Sequence, residues 1–257
     1  MKTDTHKNKD SHKDSLWDNV KSLIYALLLM LLIRTVWMQP FHIPSGSMIP
    51  TLLIGDNLFV SKTAYGYSRY SIPFGGSINY FSGRIWSAEP KQGEVAVFRS
   101  VIEPDTDFIK RVIGVPGDRI QMKEGILHIN DVPCPVEPAG EVTTINDNGT
   151  ILKAAQYIET LPNGLKHFII MQGPFGAGTY DNTPVYEVPA GHFFMMGDNR
   201  WGSNDSRAQG VVGYIPLENF VGRASFIFFS TGGHTALWEI WKWPLTAHYN
   251  RIGHGIH

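Results

Sequence analysis

The feature that most constrains this chain is an uninterrupted apolar run at residues 23–33, close to the N-terminus. The run alone is too short to cross a bilayer, because a spanning helix needs about 20 residues. On a helix, however, the flanking Trp17 and Trp37 would lie about 30 Å apart, which matches the hydrocarbon thickness. The run also ends without the small-x-small pattern of a signal-peptide cleavage site. Residues 16–38 are therefore predicted to form an uncleaved transmembrane helix.

The charges on the two sides of this helix predict its orientation. After Arg34 there is no lysine or arginine until Lys62, whereas five lysines precede the apolar run: Lys2, Lys7, Lys9, Lys13 and Lys21. The positive-inside rule then places the N-terminus in the cytoplasm and everything after Met38 on the other side of the membrane. Residues 1–15 are polar and have no apolar period, so we expect a disordered cytoplasmic tail.

The rest of the chain has the composition of a β-rich protein, with 26 glycines, 16 prolines and many β-branched and aromatic residues. Short apolar runs that are typical of strands occur at residues 57–60, 93–98, 192–196 and 222–230. A long stretch rich in Gly, Thr, Asn and Pro lies between them. We expect a mainly β fold, in which residues 39–118 and 190–257 form an antiparallel β-sheet core and residues 119–189 form a β-rich inserted subdomain.

Composition and charge exclude several classes of function. The formal net charge of −1 gives no electrostatic footprint for nucleic acid. Cys134 is the only cysteine, so no intrachain disulfide can form. The histidines near the C-terminus lack a compact metal-ligand spacing, and no phosphate-binding loop is present. We expect no metal and no cofactor.

The segment directly after the predicted helix, residues 41–51, has an unusual pattern. Pro44 and Pro50 fix φ near its two ends, and Gly46 between Ser45 and Ser47 permits backbone angles that other residues avoid. This pattern predicts a stiff loop that presents one of the two serines close to the outer membrane face. An ordinary turn of small residues is the alternative, and the loop alone does not choose between the serines.

A second unusual segment places two cations inside an apolar strand at residues 107–115. Burying Lys110 and Arg111 is unfavourable unless each is used or paired. Strand alternation puts them on opposite faces. Arginine cannot lose its proton in a protein, whereas burial lowers the pKa of a lysine and can make it a base. If either residue is a general base, it must be Lys110; an ion pair at a strand edge is the alternative.

Three further segments stand out. A dense polar cluster follows the strand at residues 192–196, and in it Asp205 and Arg207 could form a pair. Residues 65–90 are rich in aromatic side chains and fit either a packed hairpin or a surface that touches lipid. Residues 237–243 contain three tryptophans, as is typical where protein meets lipid headgroups.

Taken together, four motifs resemble those of the bacterial type I signal peptidases. The first is Ile-Pro-Ser-Gly-Ser-Met-x-Pro-Thr-Leu at 43–52, and the second runs from Gly55-Asp56 through Lys62 to Tyr65-Gly66. Phe-Ile-Lys-Arg at 108–111, followed by Gly-x-Pro-Gly-Asp at 114–118, resembles the lysine motif, and residues 197–207 resemble the last. The four occur in the family's order and cover the core from about residue 41 to 230.

This resemblance implies a role for each matching residue. Ser47 would be the nucleophile and Lys110 its general base, while the Ser45 hydroxyl and the Ser47 backbone N–H would form the oxyanion hole. Ser203 would hydrogen-bond and orient the Lys110 amine. Four residues would support the site: Asp205, Arg207, Arg111 and Asp198. Six would line shallow pockets for small side chains one and three residues before the cut: Phe41, Ile43, Pro44, Leu52, Phe108 and Ile109.

The resemblance also implies the activity. It predicts a serine endopeptidase, anchored once in the bacterial cytoplasmic membrane, that removes N-terminal signal peptides from exported preproteins at the outer face. Its partners would be preprotein signal peptides and the lipid bilayer, with the export translocon nearby.

The chain departs from the family at a few positions. Trp201 stands where many relatives have an acidic residue, which leaves the contacts on that side of the cluster open. Ala208-Gln209 replaces a common aromatic pair. Three alternatives to a signal peptidase are a processing peptidase of a conjugation system, a self-cleaving repressor and an inactive membrane-tethered binding domain. The predicted membrane anchor argues against the repressor.

Overall fold

The computed structural model of the protein describes residues 7–72, 82–232, 235 and 239–257. It begins with helix α1 (Lys7–Val36), which contains most of the predicted transmembrane segment. Within it, the 20 residues Trp17–Val36 have a mean hydropathy of 1.6 and are not buried by the rest of the protein. At 1.5 Å per residue this stretch spans about 30 Å, so it is long and apolar enough to cross a membrane.

The N-terminal boundary of α1 corrects one expectation. Residues 7–15 were expected to be disordered, but α1 begins at Lys7 and includes them. Extending an existing helix by one residue is much easier than nucleating a new one, so a stable apolar helix can continue into polar flanking residues. Residues 1–6 of the expected tail lie outside the described part of the chain.

Strands are the main regular structure of the described residues after α1. In chain order these are β1 (Met38–His42), β2 (Asp56–Ser61), β3 (Tyr67–Ser68), β4 (Arg84–Ile85), β5 (Val95–Arg99), β6 (Asp107–Gly114), β7 (Arg119–Lys123), β8 (Ile126–Ile129), β9 (Val132–Pro133), β10 (Val136–Ile145), β11 (Ile151–Thr160), β12 (Lys166–Met171), β13 (Tyr186–Glu187), β14 (His192–Met196), β15 (Ile215–Pro216) and β16 (Phe220–Ser230). A one-turn helix, α2 (Trp243–Thr246), lies near the C-terminus.

The largest sheet has seven strands in the order β1-β2-β16-β5-β6-β14-β15, and its neighbours are antiparallel. This confirms the predicted mainly β fold with an antiparallel core. Strand β6 lies between β5 and β14, and its second half is buried. Apolar side chains such as Val97, Val112 and Met195 fill the space around it. The interior position of β6 explains how two cations next to each other on one strand can both be buried.

Residues 119–189 form two smaller sheets. One has the order β13-β7-β8-β9 and the other the order β10-β11-β12. Strands β10 and β11 make a long hairpin that reverses direction at residues 146–150. An isolated bridge joins Ile170, on β12, to Asn199, which follows β14. The β10-β11-β12 sheet therefore packs against the polar segment that leaves the main sheet.

The aromatic segments contain both packed and exposed rings. Strands β3 and β4 pair, as the hairpin interpretation predicts, while residues 73–81 lie outside the described part. Near the C-terminus, the Trp243 ring packs 4.4 Å from that of Phe229, whereas Trp241 is 69% exposed. Residues 236–238 are also outside the described part. Lipid contact by either segment stays a prediction.

The end of α1 is attached directly to the main sheet. Strand β1 begins at Met38, just after the helix ends at Val36. The carbonyl oxygen of Trp37 accepts a hydrogen bond of 3.0 Å from the Lys62 N–H, and that of Val36 accepts one from the Tyr67 hydroxyl. The loop between β1 and β2, which carries Ser45 and Ser47, therefore follows the apolar helix at a short and fixed separation.

Candidate active site

The loop that carries Ser47 is anchored by its own apolar side chains. Met48 and Ile49 are fully buried, so the loop cannot lift away from the core without exposing them. Gly46 lies in a crowded position, where an added Cβ would come within 2.8 Å of Ile49 Cδ1. The backbone N–H of Asn199 donates to the Ser47 carbonyl oxygen at 3.1 Å. The resulting loop presents Ser47 toward β6.

The central contact of the site joins Ser47 to Lys110. Lys110 Nζ donates a hydrogen bond of 2.6 Å to Ser47 Oγ and another of 3.1 Å to the Ile109 carbonyl oxygen. Both residues are buried, with only 6% of Ser47 and 3% of Lys110 exposed. Ser47 and Lys110 are 63 residues apart in the sequence, and the fold brings this predicted nucleophile and base into direct contact.

The environment of Lys110 favours its neutral form. Burial lowers the pKa of this amine from 10.5 to about 8, although Asp205, Asp147 and Asp198 each oppose the shift. An amine with this pKa is deprotonated in about one molecule in ten at pH 7 and in half of the molecules at pH 8. A neutral amine at this distance can accept the proton of a serine hydroxyl, which makes the serine a nucleophile.

The residue after Lys110 has a separate role. Arg111 binds both carboxylate oxygens of Asp198 and also donates to the Gly93 carbonyl oxygen at 2.7 Å. The Thr51 hydroxyl donates to Asp198 at 2.6 Å. Burial alone would raise the pKa of Asp198, but Arg111 holds it below its usual value. The alternation of β6 thus places one cation at the serine and the other in a buried ion pair.

The predicted pair of Asp205 and Arg207 is present. Arg207 donates to the two oxygens of Asp205, each at 2.8 Å, and both side chains are buried. Asp205 Oδ2, which accepts Arg207 Nη2, also accepts the Gly197 N–H at 3.0 Å. These bonds fix the turn between Gly197 and Arg207, which also carries Asp198.

One predicted contact is not formed. Ser203 was expected to hydrogen-bond the Lys110 amine, but its buried hydroxyl has no hydrogen-bond partner among the described residues. It lies beside Gly197 instead, where an added Cβ would be 2.3 Å from Ser203 Oγ and 2.5 Å from the Ser47 carbonyl oxygen. Among the described residues Lys110 Nζ bonds to Ser47 and Ile109, so Ser203 borders the site without binding the base.

A cavity of about 210 Å³ opens beside Ser47 and Lys110. Ser45 is half-buried on its wall, and none of the hydrogen bonds among the described residues uses its hydroxyl. The cavity is lined by Phe41, His42, Ile43, Pro44, Ser45, Val97, Thr106, Asp107, Phe108, Ile109 and Lys110. Five of the six predicted substrate-binding residues are in this set.

The sixth, Leu52, does not line this cavity. It is 0% exposed and belongs to the core cluster with Met48, Leu58 and Val60. The same cluster contains Ile43 and Val97, which line the cavity, so Leu52 packs behind the cavity wall. A part for Leu52 in substrate binding stays a prediction.

Sequence reasoning missed two residues that hold the serine loop. Asn199 received no role beyond its place in the last motif, but its side chain donates to the Gly46 carbonyl oxygen at 3.1 Å. Asp147, at the tip of the β10–β11 hairpin, accepts the Gly46 N–H at 2.5 Å. No local pattern marks Asp147, because its sequence neighbourhood is that of an ordinary turn.

A buried polar group behind the site was also missed. Arg200 binds both oxygens of Glu159, and His167 lies 3.4 Å from Glu159 and 3.9 Å from Asp198. Burial, with nearby Arg111, lowers the pKa of His167 to about 4, so this imidazole stays neutral near pH 7. The group joins the inserted sheet to the loop that follows β14.

The departure at Trp201 is accommodated by packing. Its indole covers Gly173 and Gly178, where an added Cβ would lie 2.4 and 2.3 Å from the ring system. Its Nε1 is 3.3 Å from both carboxylate oxygens of the buried Asp181. Trp201 therefore attaches the polar cluster to residues 173–181 of the insertion. Within the described residues no group of three or more His, Cys, Asp or Glu side chains could hold a metal ion.

The chain is similar to several known proteins. The family model described as "Signal peptidase, peptidase S26" matches residues 16–229. A protein named signal peptidase I from Rickettsia canadensis (strain McKiel) is 42% identical over 235 residues, which cover 90% of this chain and 85% of that protein. The signal peptidase I of Rickettsia prowazekii (strain Madrid E) is 42% identical over 214 residues, 82% of this chain and 79% of that protein. A crystal structure of a signal peptidase I from Enterococcus faecalis V583 is similar at 21% identity, with a TM-score of 0.30, over 53% of this chain and 97% of that one.

Proposed function

This chain belongs to the peptidase S26 family of signal peptidases, and within that family we propose that it is a membrane-bound endopeptidase with a Ser47–Lys110 dyad. The observation that carries the proposal is the 2.6 Å contact between Lys110 Nζ and Ser47 Oγ in a buried setting. An activated serine needs a neighbouring base, and a lysine qualifies only when its amine is neutral. The lowered pKa of Lys110 supports that requirement.

The first half of the proposed reaction is acylation of Ser47. Lys110 Nζ accepts the hydroxyl proton as Ser47 Oγ attacks the scissile carbonyl carbon. The negative charge on the carbonyl oxygen is stabilised by the Ser45 hydroxyl and the Ser47 N–H. Among the described residues the Ser47 N–H donates to no other acceptor. Collapse of this intermediate breaks the C–N bond, and Lys110 returns the proton to the departing amine of the mature protein.

The second half releases the signal peptide. Water enters where the amine has left, and Lys110 accepts its proton while the oxygen attacks the ester carbonyl. The same two donors stabilise the second tetrahedral intermediate. Its collapse returns the proton to Ser47 and frees the signal peptide as a carboxylic acid, which then loses its proton to bulk water. These steps need no metal or cofactor, because one amine serves as both base and acid.

The cavity beside the dyad supports selection of small side chains. Its volume of about 210 Å³ is below the usual range for pockets that hold a drug-sized molecule, about 300 to 1,000 Å³. Phe41 and Phe108 narrow it from β1 and β6. An extended signal-peptide end could place the residues one and three positions before the cut here, provided that both are small.

The apolar helix supports the proposed location. Residues 17–36 would span the cytoplasmic membrane with the lysine-rich N-terminus inside. Since β1 follows α1 immediately, Ser47 would lie close to the outer face, where signal peptides leave the bilayer after export. The proposed partners are therefore preprotein signal peptides and lipid, with the export translocon nearby.

Cleavage of a purified preprotein by the full-length protein in detergent tests the dyad. Ser47→Ala and Lys110→Met should each abolish cleavage. Two matched variants serve as controls: Ser61→Ala, on β2, and Lys62→Met, which removes another buried lysine that does not contact Ser47. Cleavage that survives either dyad substitution would refute the proposed mechanism, provided that thermal unfolding shows each variant to be folded.

A further inference from the structure

The β10–β11 hairpin contacts the serine loop by apolar packing and by one hydrogen bond. Leu152 and Ala154 of β11 share a buried cluster with Ile49. Asp147 Oδ1 accepts a hydrogen bond of 2.5 Å from the Gly46 N–H, across 101 residues of sequence. The hairpin tip itself is ordered by Asn146, whose side-chain oxygen accepts the N–H groups of Asn148 and Thr150 at 3.1 and 2.9 Å. Asp147 is thus presented by a folded turn, although the residue is exposed.

Gly46 is the residue of the loop that most needs such support. It lies between the two proposed oxyanion donors, and a glycine has the widest choice of backbone angles. Asp147 holds the peptide plane on its N-terminal side. On its C-terminal side, the Gly46 carbonyl oxygen accepts Asn199 Nδ2 at 3.1 Å and the Ile49 N–H at 3.2 Å.

The direction of the Ser47 N–H follows from these bonds. A peptide unit is planar and trans, so fixing the Gly46 carbonyl oxygen also fixes the opposite N–H, which belongs to Ser47. In the same way, the bond to Asp147 fixes the plane that connects Ser45 to Gly46. Asp147 and Asn199 together therefore fix the two peptide planes on either side of Gly46, and with them the direction of the Ser47 N–H.

Asp147 also contributes its charge to the site. The carboxylates that act on Lys110 come from three elements: Asp205 and Asp198 from the loop after β14, and Asp147 from the hairpin. Each favours the protonated amine, in opposition to burial. Removing the charge of Asp147 would therefore make Lys110 easier to deprotonate.

We propose that Asp147 is a positioning residue, by which the inserted hairpin fixes the Gly46 peptide and aligns the Ser45 and Ser47 donors of the oxyanion hole. The inference rests on the proposed Ser47–Lys110 mechanism. It assigns the β10–β11 hairpin a part in the reaction, because the hairpin orients the backbone that carries the oxyanion donors.

Steady-state cleavage by Asp147→Ala and Asp147→Asn, measured across the titration range of Lys110, tests this role. Asp147→Ala should lower the plateau kcat about tenfold with KM unchanged, since the donors lose alignment but are still present. Asp147→Asn should stay within about threefold of wild type, because its amide oxygen can accept the same hydrogen bond. In both variants the acidic limb of the pH–activity profile should move to lower pH, because Lys110 loses a nearby negative charge.

The matched control is Glu141→Gln, which removes an exposed carboxylate from β10 of the same hairpin. It should change neither kcat nor the limb. A loss that falls on KM, or an Asp147→Ala variant with the wild-type kcat, would overturn the positioning role. If Asp147→Ala does not fold, the profile of Asp147→Asn decides, and an unmoved limb overturns the proposal. Ser47→Ala and Lys110→Met are measured in the same assay. If the dyad proposal is wrong, one of these two variants stays active; if only the Asp147 proposal is wrong, both are inactive.

Discussion

The guanidinium of Arg111 donates to both carboxylate oxygens of Asp198, from Nε at 2.9 Å and from Nη2 at 2.7 Å. Arg111 follows Lys110 on β6, and Asp198 precedes Asn199, which holds the Ser47 carbonyl oxygen. The ion pair therefore connects the strand of the proposed base to the loop of the proposed nucleophile. Neither side chain is more than 1% exposed, so each buried charge is compensated by the other and little by solvent.

Breaking this pair from one side should destabilise the protein strongly. Arg111→Met leaves Asp198 buried without its partner, and we expect the free energy of unfolding to fall by about 3 to 5 kcal/mol. Denaturant titration of the full-length protein in detergent measures this loss. The control is Arg119→Met, which removes an ion pair with Asp131 whose side chains are 46% and 58% exposed. It should cost less than about 1 kcal/mol. Equal losses in the two variants would contradict the argument from burial.

The pH dependence of cleavage should report the protonation of Lys110. Only the neutral amine can accept the Ser47 proton, and its pKa is lowered to about 8. We therefore expect kcat/KM to fall tenfold per pH unit below about pH 8 and to level off above it. A flat profile would contradict a lysine base.

A second buried lysine provides the control for this profile. Burial, with Arg34 nearby, lowers the pKa of Lys62 to about 8 as well, but its amine donates to the Ser71 carbonyl oxygen, away from Ser47. Lys62→Met should leave the acidic limb in place. If the limb instead disappears in that variant, the titration belongs to Lys62.

The same pKa shift predicts that the base lowers stability. Below pH 8 the folded protein holds a buried, protonated Lys110, whereas the unfolded chain exposes an amine with a pKa of about 10.5. Because the folded pKa is the lower one, this cost is complete below about pH 8 and fades as the pH rises to 10.5. Lys110→Met should therefore raise the free energy of unfolding by about 1 to 3 kcal/mol at pH 7. A variant that is less stable at pH 7, by an amount independent of pH, would contradict this prediction.

Local sequence patterns predicted the features that are formed by residues close together in the chain. The strand β6 and its buried cations followed from an apolar run that contains Lys110 and Arg111, and the pairing of Asp205 with Arg207 followed from their closeness in the chain. The membrane helix was evident from its apolar residues, but its start at Lys7 was not, since helix propagation into polar residues depends on the segment that nucleates it.

Contacts between distant segments could not be predicted in this way. Asp147 meets Gly46 only because the hairpin folds over the serine loop, and nothing in its own neighbourhood sets it apart from other turn residues. Leu52 and Ser203 lie inside family motifs, yet the direction of each side chain depends on how the backbone turns. The resemblance supplied roles for these residues, whereas packing decided which contacts they make.

Removing the Ser45 hydroxyl should slow the reaction without weakening substrate binding. The loss of one donor to an oxyanion typically lowers kcat by about 100-fold or more, so we expect that effect in Ser45→Ala with KM nearly unchanged. Ser45→Thr keeps a hydroxyl and should retain more activity than the alanine variant. Single-turnover and steady-state cleavage together separate kcat from KM. A Ser45→Ala enzyme within about threefold of wild type would exclude Ser45 as an oxyanion donor.

Selectivity for small side chains should depend on the cavity wall. Wild type should cleave a substrate with alanine before the cut at least about 100-fold better, by kcat/KM, than one with leucine, because the cavity is small. Phe41→Ala widens the cavity and should reduce that preference. The control is Leu52→Ala, which makes a hole in the core beyond the cavity wall. It should lower the free energy of unfolding by about 2 to 5 kcal/mol and leave the preference unchanged. A Leu52→Ala enzyme that gains activity on leucine would return Leu52 to the substrate site, and an unchanged preference in Phe41→Ala would remove Phe41 from it.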